Sequence, residues 1–168
     1  VIASFDSLWS IPNYKMSEKI LQLAIRIAEI TAEKIIIETK NPNDPAIRAI
    51  ASGSLLEYFR EELEDRKKLG YPPYKRFIKI TYLGDKEETR RARQFLEETF
   101  SDYSPEIFSG FVSKNKGKYV TNALVKLEPR KWSLFDISAG SSIDETLLSK
   151  ISALPSFFEV QVDPEDLL

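Results

Sequence analysis

The segment Glu61-Glu-Leu-Glu-Asp-Arg-Lys-Lys-Leu-Gly-Tyr-Pro-Pro-Tyr-Lys-Arg76 constrains the fold most, because it stops a helix and turns the chain within a few residues. Gly70 accepts the left-handed backbone that ends helices. Pro72 and Pro73 lack the amide hydrogen that a continuing helix needs, and each holds its preceding residue in extended geometry. The run Phe77-Ile-Lys-Ile-Thr-Tyr-Leu83 follows at once and alternates apolar with polar residues, the period of a half-buried strand. The segment is a joint between two structural units.

Composition decides whether a core can form on both sides. Apolar residues make up 42% of the 168, enough for one ordinary domain or two small ones. The chain has no cysteine and no histidine, which excludes disulfides, thiolate zinc sites, cysteine nucleophiles and histidine-based triads. The formal net charge is −2, so any nucleic-acid contact must come from a local basic patch. No apolar run approaches the roughly 20 residues that span a bilayer. Starting at Val1 in what reads as a strand, the chain reads as a fragment of a longer protein.

Before the joint, residues 1–5 predict a short strand and 6–16 a loop. Ser17 is the expected cap of a helix over 18–33, with Ile20, Leu23, Ile27 and Ile30 on one face. The β-branched run Lys34-Ile-Ile-Ile-Glu-Thr39 predicts a buried strand. Strand, helix and strand in this order make a βαβ unit. A short helix at 46–51 and a long one at 55–69 follow, the latter carrying Leu55, Leu56, Phe59 and Leu63 and ending on Arg66, Lys67 and Lys68, which suit the dipole.

After the joint, the expected elements are a strand at 77–83, a helix capped by Asp85 and running to Phe100, and a strand at 107–112. A basic turn at 113–118, a strand at 119–127 and an irregular segment at 128–140 come next. A helix from Asp144 to about Leu154 and a strand at 157–162 close the chain. The order β-α-β-β-α-β is the split βαβ, ferredoxin-like pattern, and the fold class is α/β (α+β).

Several segments resemble a known family in collinear order. Asp6-Ser-Leu-Trp-Ser-Ile-Pro-Asn-Tyr-Lys-Met-Ser-Glu-Lys19 is similar to D-x-x-L-x-x-P-D-F-R-x-x-E-R, with Asn13, Tyr14, Lys15 and Lys19 as conservative replacements. Gln22-Leu23 matches Q-L, and Ile35-Ile-Ile-Glu-Thr-Lys-Asn-Pro42 resembles V-x-I-Q-T-x-x-P. The joint resembles E-L-x-x-R-x-x-L-G-Y-P-P-[FY], and Val160-Gln-Val-Asp-Pro-Glu-Asp-Leu-Leu168 resembles V-D-V-D-P-x-x-L-L. The family is primosomal protein N′, the bacterial replication-restart helicase PriA, and the resemblance is to its C-terminal part. It implies that 1–54 is the end of helicase lobe 2, a βαβ remnant. It makes 55–76 the connecting helix and joint, and 77–168 the C-terminal domain.

One departure bears on activity. Where the family reads Q-V-A-G-R-A-G-R, this chain reads Arg26-Ile-Ala-Glu-Ile-Thr-Ala-Glu33. The family's arginines reach nucleotide phosphates, and an arginine on the γ-phosphate is worth about 10³–10⁵ in rate. Ile30 and Glu33 stand in place of both, and Glu29 and Ala32 in place of both glycines. The segment also reads simply as a well-formed helix. No G-x-x-x-x-G-K-[ST] phosphate loop is present. The expectation is that this chain does not hydrolyse ATP and that its parent is impaired as a motor. ATP with magnesium, and zinc, belong to upstream parts of the family, and no cofactor is expected in this chain.

The DNA-binding candidates are Lys114, Lys116 and Lys118 of the basic turn, and Arg130 and Lys131 beyond the next strand. Alternating lysines at a hairpin tip track phosphates, and Tyr119 and Trp132 are candidates for base stacking. Lys75 and Arg76 at the joint form a smaller candidate. A solvated hairpin tip is the plain alternative. Glu61, Glu62, Glu64 and Asp65 among Arg60, Arg66 and Lys67 read as a paired helix face. Asp163, Glu165 and Asp166 are not assigned as metal ligands, and no catalytic residue is assigned.

The resemblance implies a replication-restart module that binds branched or single-stranded DNA, without ATPase activity of its own. It implies as partners the single-stranded DNA-binding protein and the proteins that load the replicative helicase. It places the chain in the bacterial cytoplasm at the nucleoid, with no membrane role. Two other readings stay open: the tail of an active 3′→5′ helicase, and an interaction domain that no longer binds DNA.

Overall fold

The computed structural model describes residues 5–10, 13–31, 34–110, 118–132 and 143–167. The chain divides into two units, 1–65 with 165–167, and 66–164.

The first unit is helical among its described residues: α1 (Asp6–Trp9), α2 (Met16–Ile30), α3 (Pro45–Ser52) and most of α4 (Leu55–Leu69). The sequence predicted a loop at 6–16, but a single helical turn forms at Asp6. Asp6 accepts the Thr39 hydroxyl at 2.7 Å and the Lys40 amide at 2.9 Å, and Trp9 sets its ring edge-on to Phe5 at 6.4 Å. Ser17 is not the cap of α2, because the helix begins two residues earlier, with Lys15 at the cap position. The Asn13 carboxamide oxygen accepts the Lys15 amide at 2.8 Å, and its carbonyl accepts the Met16 amide at 3.0 Å. α2 ends at Ile30, and Thr31 is already extended.

The buried side of α2 is Ile20, Leu21 and Ala24, rotated from the expected stripe: Leu23 is exposed, and so is Ile30 at 84%. One small core gathers Phe5, Ile20, Ala24 and Ile47, and a second gathers Leu21, Ala46, Ala49 and Tyr58. α3 formed where expected. Asp44 accepts the Ala46 amide at 2.9 Å, Pro45 takes the first helical position, and Gly53 closes the helix with φ of 73°.

Residues 34–39 do not form the predicted strand. Ile37 makes an isolated bridge and Ile36 is exposed. β-branched residues favour an extended backbone, but a strand also needs neighbours for its amides and carbonyls, and no described strand runs beside this one. The expected βαβ unit is therefore not seen among the described residues, and 1–4 of its first strand lie outside them.

In the second unit, α4 closes on Gly70 at φ 63°. The Tyr71 amide reaches back to the Arg66 carbonyl at 2.8 Å and the Gly70 amide to that of Lys67 at 3.3 Å, a Schellman motif. The Pro72–Pro73 peptide is cis, inside a turn closed by the Tyr74 amide on the Tyr71 carbonyl at 2.9 Å. Then come β1 (Arg76–Gly84), α5 (Lys86–Thr99), a 3₁₀ turn (Ser101–Tyr103), β2 (Glu106–Ser109) and β3 (Tyr119–Leu127). A second 3₁₀ turn (Pro129–Lys131), α6 (Glu145–Ser152) and β4 (Phe158–Val162) complete it.

The strands form one antiparallel sheet in the order β2-β3-β1-β4, the split βαβ arrangement. β2 ends at Ser109, short of the predicted 112; 111–117, with the basic turn, lie outside the described residues. The core lies on one face of the sheet, where Ile78, Ile80, Ala123 and Val125 meet Leu96, Phe100 and Leu147.

Candidate nucleic-acid interface

The sheet register sets which basic residues stand together. Arg76 pairs with Leu127 across β1 and β3, and Gly84 pairs with Tyr119 at the opposite end. Lys75 and Arg76 therefore share one end of the sheet with the turn carrying Arg130 and Lys131. Lys118 and Tyr119 stand at the far end, about 30 Å away over nine residues of extended strand. The candidates fall into two groups. Lys114 and Lys116 lie outside the described residues.

At the joint end the two groups of cations differ in what holds them. Lys75 is ion-paired with Glu128, and Arg76 with Asp163. The Lys75 hydrogen bond and charge hold the Glu128 carboxyl below its usual value. Asp163 also accepts the Phe77 amide at 3.1 Å and donates its own amide to the Phe77 carbonyl at 2.7 Å, so it ties the chain beyond β4 to the start of β1. Arg130 and Lys131 are exposed, and neither has an ion-pair partner among the described residues. The 3₁₀ turn presents them because Pro129 opens it and the Lys131 amide returns to the Glu128 carbonyl at 2.9 Å.

Trp132 is 8% exposed and packs in the main core, so its ring is not offered to a base. Tyr119 is half-exposed beside exposed Lys118. Sequence reasoning passed over Lys126. Its ammonium sits 5.4 Å from the Tyr71 ring centre and 5.6 Å from that of Phe77, and it pairs with Glu106 at 2.7 Å. Its alternation with core residues along β3 was the available signal.

The degenerate nucleotide segment lies at the end of α2. Arg26, Glu29 and Ile30 are exposed there, and Glu33 lies outside the described residues. Among the described residues no carboxylate group is clustered to hold a metal ion, and no helix is long and apolar enough to cross a membrane.

No protein-family profile matches the chain. Curated relatives do match. The chain is 31% identical to the replication restart protein PriA of Borreliella burgdorferi over 129 residues, covering 68% of this chain and 20% of that protein. It is 32% identical to the replication restart protein PriA of Thermotoga maritima over 138 residues, 76% of this chain and 18% of that protein. The protein of the same name from Chlamydia pneumoniae is 26% identical over 115 residues, 62% of this chain. The chain thus spans about a fifth of the length of these relatives.

Proposed function

We propose, on the premise that this chain is a segment of the replication restart protein PriA family, that it serves replication restart as a DNA- and partner-binding module. The observation that carries the DNA reading is the pair of exposed cations Arg130 and Lys131 at the joint end of the sheet, neither of them in an ion pair among the described residues. Phosphates of branched or single-stranded DNA are the fitting ligand, since such side chains gain by displacing condensed counterions. Lys118 and Tyr119 supply a second, separate contact of cation and stacking ring. Single-stranded DNA-binding protein and helicase-loading proteins are the proposed partners, at the bacterial nucleoid. The chain needs no cofactor and turns over no ATP, because Glu29 and Ile30 stand where a phosphate-reading helix needs glycine and arginine.

The test is binding of forked DNA by the chain carrying Arg130→Glu and Lys131→Glu, measured across several salt concentrations. The expected result is weaker binding and a salt slope reduced by about 2, one phosphate contact per lost cation. Unchanged affinity at low salt would overturn the assignment. A second reading, an interaction domain that has given up DNA, is favoured by the net charge of −2 and by the neutralisation of Lys75 and Arg76. Absence of fork binding by the unmodified chain would select it.

A further inference from the structure

The ladder between β1 and β3 begins where Arg76 pairs with Leu127. The next residues outward, Lys75 and Glu128, meet at the joint end of the sheet, where the Lys75 ammonium donates to the Glu128 carboxylate. The 3₁₀ turn starts from Glu128 as well, since its carbonyl accepts the Lys131 amide at 2.9 Å. The Lys131 charge adds to the hold of Lys75 in keeping the Glu128 carboxyl below its usual value. One carboxylate thus links Lys75 to the turn that carries Arg130 and Lys131.

The two ion pairs at this end differ in what else they hold. Asp163 pairs with Arg76, and its carboxylate also accepts the Phe77 amide at 3.1 Å, so it helps to close the sheet. The Glu128 carboxylate hydrogen-bonds, among the described residues, to Lys75 alone. Its side chain is 59% exposed, and that of Lys75 33%. A pair this open adds little to stability. Its larger effect is on the charge offered to a ligand, because Glu128 cancels one of the cations Lys75, Arg130 and Lys131. A phosphate that took Lys75 from it would also leave the carboxylate unpaired beside the DNA backbone, and like charges so placed repel.

Resting on the DNA reading above, we propose that Glu128 masks Lys75 and thereby sets the strength of the joint-end contact with DNA phosphates. Arg130 and Lys131 neutralise about two phosphates while the carboxylate is charged, and Lys75 raises this to about three once that charge is removed.

The test compares forked-DNA binding by the whole 168-residue chain and its Glu128→Gln variant between about 50 and about 200 mM salt. Gln keeps the size of the side chain and removes its charge, so thermal denaturation of the variant should match the parent. Glu128→Gln should bind more tightly, with a salt slope steeper by about 1, and its advantage should shrink about threefold across that range. Lys75→Gln should cost more in the Glu128→Gln background than in the parent, because there the ammonium is released to a phosphate. The proposal is overturned if the slope of Glu128→Gln is unchanged or shallower. It is equally overturned if Lys75→Gln costs the same in both backgrounds, which makes the effect of Glu128 one of bulk charge. The variant carrying Arg130→Glu and Lys131→Glu separates the two readings. If it weakens binding while Glu128→Gln changes nothing, masking alone fails; if it too leaves binding unchanged, the DNA reading fails and masking with it.

Discussion

Asp144 accepts two hydrogen bonds on one carboxylate oxygen, from the Leu147 amide at 2.9 Å and the Tyr103 hydroxyl at 2.8 Å. The first caps α6 and the second ties that helix to the turn after α5. Lys150 reinforces the tie through the Thr99 carbonyl at 2.8 Å and Asp102 at 2.7 Å. The Leu147 amide, with the Tyr103 hydroxyl and Lys131 adding to it, holds the Asp144 carboxyl below its usual 3.8. A depressed carboxyl stabilises fully above its unfolded pKa and loses that contribution as pH falls through the folded value. Asp144→Ala should therefore cost about 1–2 kcal/mol near neutral pH, and the difference from the parent should shrink below about pH 4; urea denaturation at both pH values checks this. Burial first, then Asp144, pushes the Tyr103 phenol from 10.0 up to about 12. A raised phenol stabilises fully below the unfolded pKa and loses this as pH climbs through the folded one. Titration of the tyrosinate absorbance should show one late group near pH 12 that disappears in Tyr103→Phe.

Among the elements, α5 starts on a full capping box. Asp85 accepts the Glu87 and Glu88 amides, each at 2.8 Å, and Glu88 returns to the Asp85 amide at 2.9 Å. Asp85→Ala should cost about 1 kcal/mol, read by thermal or urea denaturation. That cap was legible in advance, as were α3, α4 and β3, because caps, proline, glycine and strand alternation act within a few residues. The strand at 34–39 was misread because pairing depends on a distant neighbour. The face of α2 was misread because Leu21 and Ala24, not Leu23 and Ile30, meet α3 and its surroundings. On α4, Leu56, Phe59 and Leu63 carry helical spacing yet are exposed, and Tyr58 is the buried residue. Phe59→Ser should change stability by less than about 0.5 kcal/mol, by the same denaturation.

For the whole molecule, the two units each hold their own described cores, and the larger belongs to the sheet. Leu96 is fully buried there against Ile78, Ile80 and their neighbours. Leu96→Ala should cost about 2–5 kcal/mol in chemical denaturation, several times the effect of any exposed leucine. The sequence by itself determined where helices stop, where the chain turns and how the elements follow one another, because those features rest on neighbouring residues. It also carried the kinship with PriA. Only the tertiary structure decided which cations are held in ion pairs. Lys75 meets Glu128 across 53 positions and Arg76 meets Asp163 across 87, while Arg130 and Lys131 are exposed and in no ion pair among the described residues. Charge pairing depends on distance in space, and strand register sets that distance.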